Sequence, residues 1–316
     1  MLIAERWSRL ARGQDALHHR AMRQFAIISL AILALSTVPV TAQVTATFEA
    51  QSDRSFGNPH DIVLSPDGSR LYVADVNNNA VKVLDPQSLT TIGAFGSGEL
   101  SRPHDVAFDP AGRLLVADTG NGRIAIYQVS AESGRLVDEI TGLASPEGVV
   151  AAPDGTIYLT NVGRHNVEAW RDGKRIARIG GRGSGANEYI RPHDIDIGPD
   201  GHIYVSDPGN DRIQILDDAL RMIGEIGGDR YRFNEPKYVA INEKGWIFVV
   251  DEFNNQIKIL NKTFEIVGII GTGKSGLGPN RFNQPEGAEI RGDTLWISDT
   301  HNGRIMRFSL AGMPVR

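Results

Sequence analysis

The sequence predicts an all-β protein, a six-bladed β-propeller with four short strands in each blade. Three observations predict it: an internal repeat of 43 to 49 residues present in six copies, period-two alternation inside each copy, and turn residues at fixed offsets. Composition agrees, because 35 glycines in 316 residues suit many turns and few long helices.

The repeat is read first from proline. Pro59, Pro103, Pro146, Pro192, Pro236 and Pro285 each open a copy. A glycine follows nine residues later in the first five copies (Gly68, Gly112, Gly155, Gly201, Gly245), and Gly292 follows after seven in the sixth. An alternating run then ends in Asp75, Asp118, Asn161, Asp207, Asp251 or Asp299. Six residues beyond each stands Val81, Ile124, Val167, Ile213, Ile257 or Ile305, an interval identical in all six copies.

The fourth copy shows the strands most clearly. Asp194–Ile197, His202–Ser206, Arg212–Leu216 and Met222–Ile226 alternate apolar and polar residues, with Pro199-Asp200-Gly201 and Asp207-Pro208-Gly209-Asn210 as turns. The sixth copy ends soon after its third strand, Ile305–Phe308, and lacks a fourth. Thr45–Ala50 is a spare strand ahead of the first copy, and pairing it with Ile305–Phe308 closes the ring and removes an exposed edge.

Residues 1–42 read as a leader. Arg20 and Arg23 precede an apolar run from Phe25 to Leu35, and Val40-Thr41-Ala42 offers small residues for cleavage. Met22 stands just before the charged stretch, so residues 1–21 are read as a possible mis-assigned start. The run is shorter than the ~20 apolar residues of a membrane span. The expected mature chain is residues 43–316, one propeller domain, exported to the periplasm or secreted, monomeric and without a transmembrane segment. It holds 28 basic and 36 acidic residues, a net charge of −8, which disfavours nucleic acid as a partner. The absence of cysteine excludes disulfides, thiolate metal sites and a cysteine nucleophile.

The residues that recur once per blade are assigned to structure. Asp118, Asp207 and Asp299 precede Gly/Asn turns, where a carboxylate accepts hydrogen bonds from turn amides. Arg123, Arg212 and Arg304 are expected to pair with them between blades or to lie at a solvated surface. Phe56, Phe233 and Phe282, each three residues before an opening proline, are expected in the core.

Departures from the repeat carry the functional reading. After the opening proline the copies read His60, His104, Glu147, His193, Lys237 and Glu286, then Asp61, Asp105, Gly148, Asp194, Tyr238 and Gly287. The first strand of a blade lines the central channel, so these polar groups are expected to converge at one mouth. Buried there, they need one another, water, a metal or a ligand. His104, His193 and Glu286 come from alternate blades and form a trigonal set of metal-ligand types, for zinc or calcium. His60, Asp61, Asp105, Glu147, Asp194 and Lys237 are candidate ligand contacts. Tyr189, Tyr231 and Arg232, in the long loops between blades, are further contact candidates.

With copies such as Pro103-His104-Asp105-Val106 and Leu115-Val116-Ala117-Asp118-Thr119-Gly120-Asn121-Gly122-Arg123-Ile124, the chain resembles the NHL family of six-bladed propellers over roughly residues 45–310. Members of that family bind proteins, RNA or small ligands, or catalyse reactions. The Pro-His-Asp triplets are also similar to those of peptidylglycine α-amidating lyase, an NHL-type enzyme that holds zinc through Pro-His motifs on alternate blades. It cleaves a peptidyl-α-hydroxyglycine to an amide and glyoxylate. On that resemblance His104 and His193 match zinc ligands, with Glu286 in the third place. The family's Tyr and Arg follow strand-two acids; this chain carries Val76, Thr119, Val162, Pro208, Glu252 and Thr300, then Asn77, Gly120, Gly163, Gly209, Phe253 and His301. No phosphate loop, nucleophile elbow or metalloprotease motif is present, and no catalytic residue is assigned. The expectation is therefore an exported propeller that binds an unidentified small ligand, peptide or protein at the channel mouth. The alternative is a metal-dependent lyase or hydrolase.

Overall fold

The structure, a computed structural model, describes residues 43–313; the leader and start-site expectations on residues 1–42 lie outside them. Six antiparallel four-stranded sheets follow one another along the chain. In five of the sheets strand order follows the sequence, from an inner strand such as Pro103–Phe108 outward through Leu114–Asp118 and Arg123–Val129 to Gly134–Ile140. The second strands are buried throughout, and the core lies between blades, where clusters such as Tyr72, Phe95, Val116 and Tyr127 interdigitate. Among the described residues no helix is long and apolar enough to cross a membrane.

The last sheet takes its outer strand from the start of the chain. Thr45–Gln51 pairs antiparallel with Arg304–Ala311, with Phe48 opposite Phe308 and their rings 5.8 Å apart edge to face. Val44, also buried, donates its backbone N–H to Val267 of the fifth blade. This is the closure the repeat count predicts.

Each blade is locked by the acid that ends its second strand. One oxygen accepts the backbone N–H at the end of the incoming loop: Gly57 to Asp75, Ser101 to Asp118, Ile190 to Asp207, Asn234 to Asp251 and Asn283 to Asp299, each at 2.7 Å. Asn161 does the same for Ala144. The other carboxylate oxygen receives an asparagine of the following 3-10 turn and a basic side chain, as with Asn302 and Arg304 on Asp299. Arg123, Arg212 and Arg304 thus pair inside their own blades and not between blades, because the third strand sets each directly opposite its acid. The amide that binds the acid comes from the inter-blade loop, with the turn contributing only the asparagine side chain.

Blades are joined to one another around the channel. The inner strands have no neighbour on the axial side, and carboxylates supply acceptors for their amides. Asp105 accepts from Val149 at 2.6 Å, Asp194 from Val239 at 2.8 Å and Asp196 from Ile241 at 2.7 Å; Asp61 and Glu289 make longer contacts with Val106 and Leu64. Hydroxyls work in the same direction, from Thr160 to His193 O, Ser206 to Lys237 O and Thr300 to Pro59 O. A cavity of about 510 Å³ beneath is lined by Asp61, Asp105, Asp194, Asp196 and Glu289 among apolar residues.

Burial is the main cause that raises these acids: Asp61 and Asp194 well above the usual range, Asp196 to about 7 and Glu289 to about 8. The folded protein therefore holds protons that the unfolded chain releases near pH 4, so their contribution weakens as pH rises from about 4 to 8.

Two outcomes are expected. A chain beginning at Ser52 should melt at least about 6 °C below one beginning at Gln43, equivalent to roughly 2–3 kcal/mol at this size; melting within about 2 °C would show that the first strand does not close the ring. Glu289→Gln should raise the melting temperature at pH 8 by about 2–4 °C and leave it nearly unchanged at pH 5. An equal shift at both pH values would contradict the ionisation argument.

Candidate functional site

The Pro-His and Pro-Glu positions converge as the repeat implies. A second cavity, of about 290 Å³, opens at the channel mouth and is lined by His60, His104, Glu147, His193, Lys237 and Glu286. Each comes from the start of a different inner strand or the residues leading into it. Alternation along the strand sends the next side chain elsewhere: Asp61, Asp105 and Asp194 line the deeper cavity and bind the neighbouring blade. They are not contacts of the mouth. Gly148 and Gly287 take the equivalent position in blades three and six because a side chain there has no room. A Cβ would lie 2.7 Å from His193 O at Gly148 and 2.3 Å from His60 O at Gly287.

Glu286 is the focus of the mouth. Its Oε2 lies 3.5 Å from His60 Nδ1, 3.8 Å from His193 Nε2 and 3.3 Å from Lys237 Nζ. His60, His193 and Glu286 are all buried, and one potential ligand atom from each lies within 4.8 Å of the others. His104 is close, its ring 4.6 Å from that of His60, but its Nδ1 is tied to Arg102 O at 2.9 Å. Its Nε2 is 3.9 Å from Glu147, on the other side of the mouth from Glu286. The trigonal set read from alternate blades is thus replaced by one in which His60 stands where His104 was expected. Adjacent blades one and six approach closely through Gly287, which brings His60 onto Glu286.

The electrostatics suit a metal. Burial is the largest cause that lowers all three imidazoles: His60 and His104 to about 3, and His193 well below its ordinary value. All are neutral at pH 7, the form that ligates. His60 Nδ1 and His193 Nδ1 are buried without hydrogen-bond partners, while Asn58 holds His60 Nε2 at 3.0 Å. Two neutral imidazoles with one carboxylate are a donor set for zinc or a similar transition metal; calcium needs more oxygen ligands than these residues provide. Beside the set, Glu147 Oε2 lies 3.3 Å from His193 Nε2, and burial raises Glu147 to about 7.

The loop aromatics lie elsewhere. Tyr189 is fully buried between blades and Tyr231 nearly so, with its hydroxyl donated to Phe264 O and its ring stacked on Phe233 at 5.5 Å. Neither lines the mouth cavity, because these loops fold back on the sheets; Tyr189 N bonds Gly181 O. Arg232 is exposed but does not line the mouth cavity. Phe56, Phe233 and Phe282 are buried as the repeat implies. Sequence reasoning overlooked Arg102 as a mouth residue. It precedes Pro103 as Arg191 precedes Pro192, so the repeated Arg-Pro-His-Asp string carried the signal, and both arginines line the cavity.

Comparison with known proteins agrees with this architecture. Residues 56–84 and 100–127 match the NHL repeat, and residues 148–226 match a family described as a 6-bladed beta-propeller. Peptidyl-glycine alpha-amidating monooxygenase A of Xenopus laevis is 29% identical over 181 residues, 51% of this chain and 19% of that protein. The chain thus matches about a fifth of that relative's length. Virginiamycin B lyase from Staphylococcus aureus superposes with a TM-score of 0.60 at 13% identity, over 85% of this chain and all of that one. An auxiliary nutrient binding protein from Bacteroides thetaiotaomicron superposes with a TM-score of 0.62 at 17% identity, over 84% of this chain and 76% of that one. Repeat, strand order and closure together make this chain an NHL-repeat six-bladed β-propeller in fold.

Proposed function

We propose that the protein is a metal-dependent lyase acting at the channel mouth on a small anionic substrate. One observation carries the reading: His60, His193 and Glu286 are gathered and buried around one point, with His60 Nδ1, which faces Glu286, left without a hydrogen-bond partner. A metal held there supplies a Lewis acid that polarises a substrate oxygen. The chain's own groups do the rest. Glu147 Oε2 stands 3.3 Å from His193 Nε2, while Arg102 and Arg191 line the cavity with positive charge suited to a carboxylate.

A second reading, ligand binding without turnover, is favoured by the cavity wall. Val76, Val162 and Pro208 line the mouth at three positions directly after strand-two acids or amides, where the amidating-lyase pattern places reactive groups close by. Peptidyl-α-hydroxyglycine is accordingly not the expected substrate. We propose further that the protein works outside the cytoplasm, on the strength of the 25–35 apolar run.

Zinc titration and turnover measurements on residues 43–316 separate these readings. The wild type should retain one equivalent of zinc. His60→Ala and His193→Ala should each weaken binding at least about tenfold, and His104→Ala should keep it within about threefold. Zinc-dependent elimination from substituted α-hydroxy or α-acylamino carboxylates should be lost with the first two variants. Saturable carboxylate binding without product would favour the second reading; no retained metal would contradict the first.

A further inference from the structure

Blade five departs from the repeat in two places at once. At the mouth position, where the other copies carry His or Glu, it has Lys237. At the position directly after the strand-two acid, where the others carry Val, Thr or Pro, it has Glu252. The two side chains meet: Lys237 Nζ lies 3.1 Å from Glu252 Oε2. The same ammonium lies 3.3 Å from Glu286 Oε2. It therefore stands between two buried carboxylates, only one of which belongs to the candidate metal set.

This placement puts Lys237 in competition with a metal. The Glu286 oxygen that faces both imidazoles is the one that the ammonium approaches. A divalent ion bonded to that oxygen at the ~2.1 Å usual for zinc lies no more than about 5.5 Å from an ammonium that stays in place. Like charges that close, in a buried site, repel strongly. Glu252 offers the alternative seat. Its Oε2 is buried and accepts no well-aligned hydrogen bond even with Lys237 beside it, so acceptor capacity is free there. Because Nζ already lies beside Glu252, a small rotation about the lysine side chain releases Glu286 without taking the charge into water.

We propose that Lys237 is a tethered counter-cation for the metal site, bridging Glu286 and Glu252 in the ion-free protein and drawn wholly onto Glu252 when a divalent ion binds. Lys237 and Glu252 are then positioning residues that set metal affinity without ligating. The inference rests on the metal site proposed above. Its consequence is a site that keeps its buried carboxylate neutralised in both states, and so holds its shape before the ion arrives.

Zinc affinity, measured by competition with a chromophoric chelator, tests this in wild type, Lys237→Met, Lys237→Arg, Glu252→Gln and the Lys237→Met/Glu252→Gln double variant, with thermal melts confirming folding. Lys237→Met should tighten zinc binding about tenfold or more, and Lys237→Arg should remain within about threefold of wild type. Glu252→Gln should weaken binding about tenfold in the wild-type background and less than threefold in the Lys237→Met background, because its effect passes through the lysine. Equal weakening in both backgrounds would make Glu252 a simple electrostatic partner and overturn the proposal, as would unchanged or weaker binding by Lys237→Met. Zinc bound by wild type with either of those results leaves the metal site standing; zinc bound by no variant overturns both.

Discussion

The pairing of Thr45–Gln51 with Arg304–Ala311 turns a row of six similar sheets into a ring, and the ring creates the functional site. Inner strands of an open row would present polar side chains to water. Closed, they present them to one another around a narrow axis, where every buried charge or dipole needs a partner. The structure meets that requirement with two layers of groups on consecutive residues of the same strands. The Asp layer is spent on neighbouring backbone amides, as Asp105 and Asp194 show. The His and Glu layer is left with unpartnered imidazole nitrogens and a shared carboxylate. Structural and functional polarity are thereby separated by a single step along the chain.

Much of this was legible in the sequence. A fixed interval such as Asp118 to Ile124 repeated in every copy reports the second strand, the tight turn and the third strand together, and no other architecture fits six such units with a spare N-terminal strand. The positions gathered at the mouth were legible for the same reason, since residues at one offset in a closed ring share one radius. What the repeat could not convey is which way a side chain turns once there. His60 reaches Glu286 because Gly287 admits its strand, while His104 is held by the backbone carbonyl of Arg102. Symmetry favoured alternate blades; local packing favoured neighbours.

The aromatic loop residues illustrate the opposite limit. Tyr189 and Tyr231 sit outside the strict repeat, where no periodicity distinguishes a contact residue from a core one. Each fills space between blades left by a long connection. Arg102 and Arg191 line the mouth beside the histidines, although nothing in their charge alone separates them from surface arginines such as Arg221. The arrangement that results is a small cavity with neutral imidazoles, one focal carboxylate and a cationic rim, built on strands held by hydrogen bonds from both neighbours.

Anomalous diffraction from zinc-soaked crystals of residues 43–316, collected on both sides of the zinc edge, tests the central claim most directly. One strong peak at the channel mouth, bonded to His60, His193 and Glu286, is the expected result. A peak held by His104 and Glu147, or no peak at the mouth, would contradict the account.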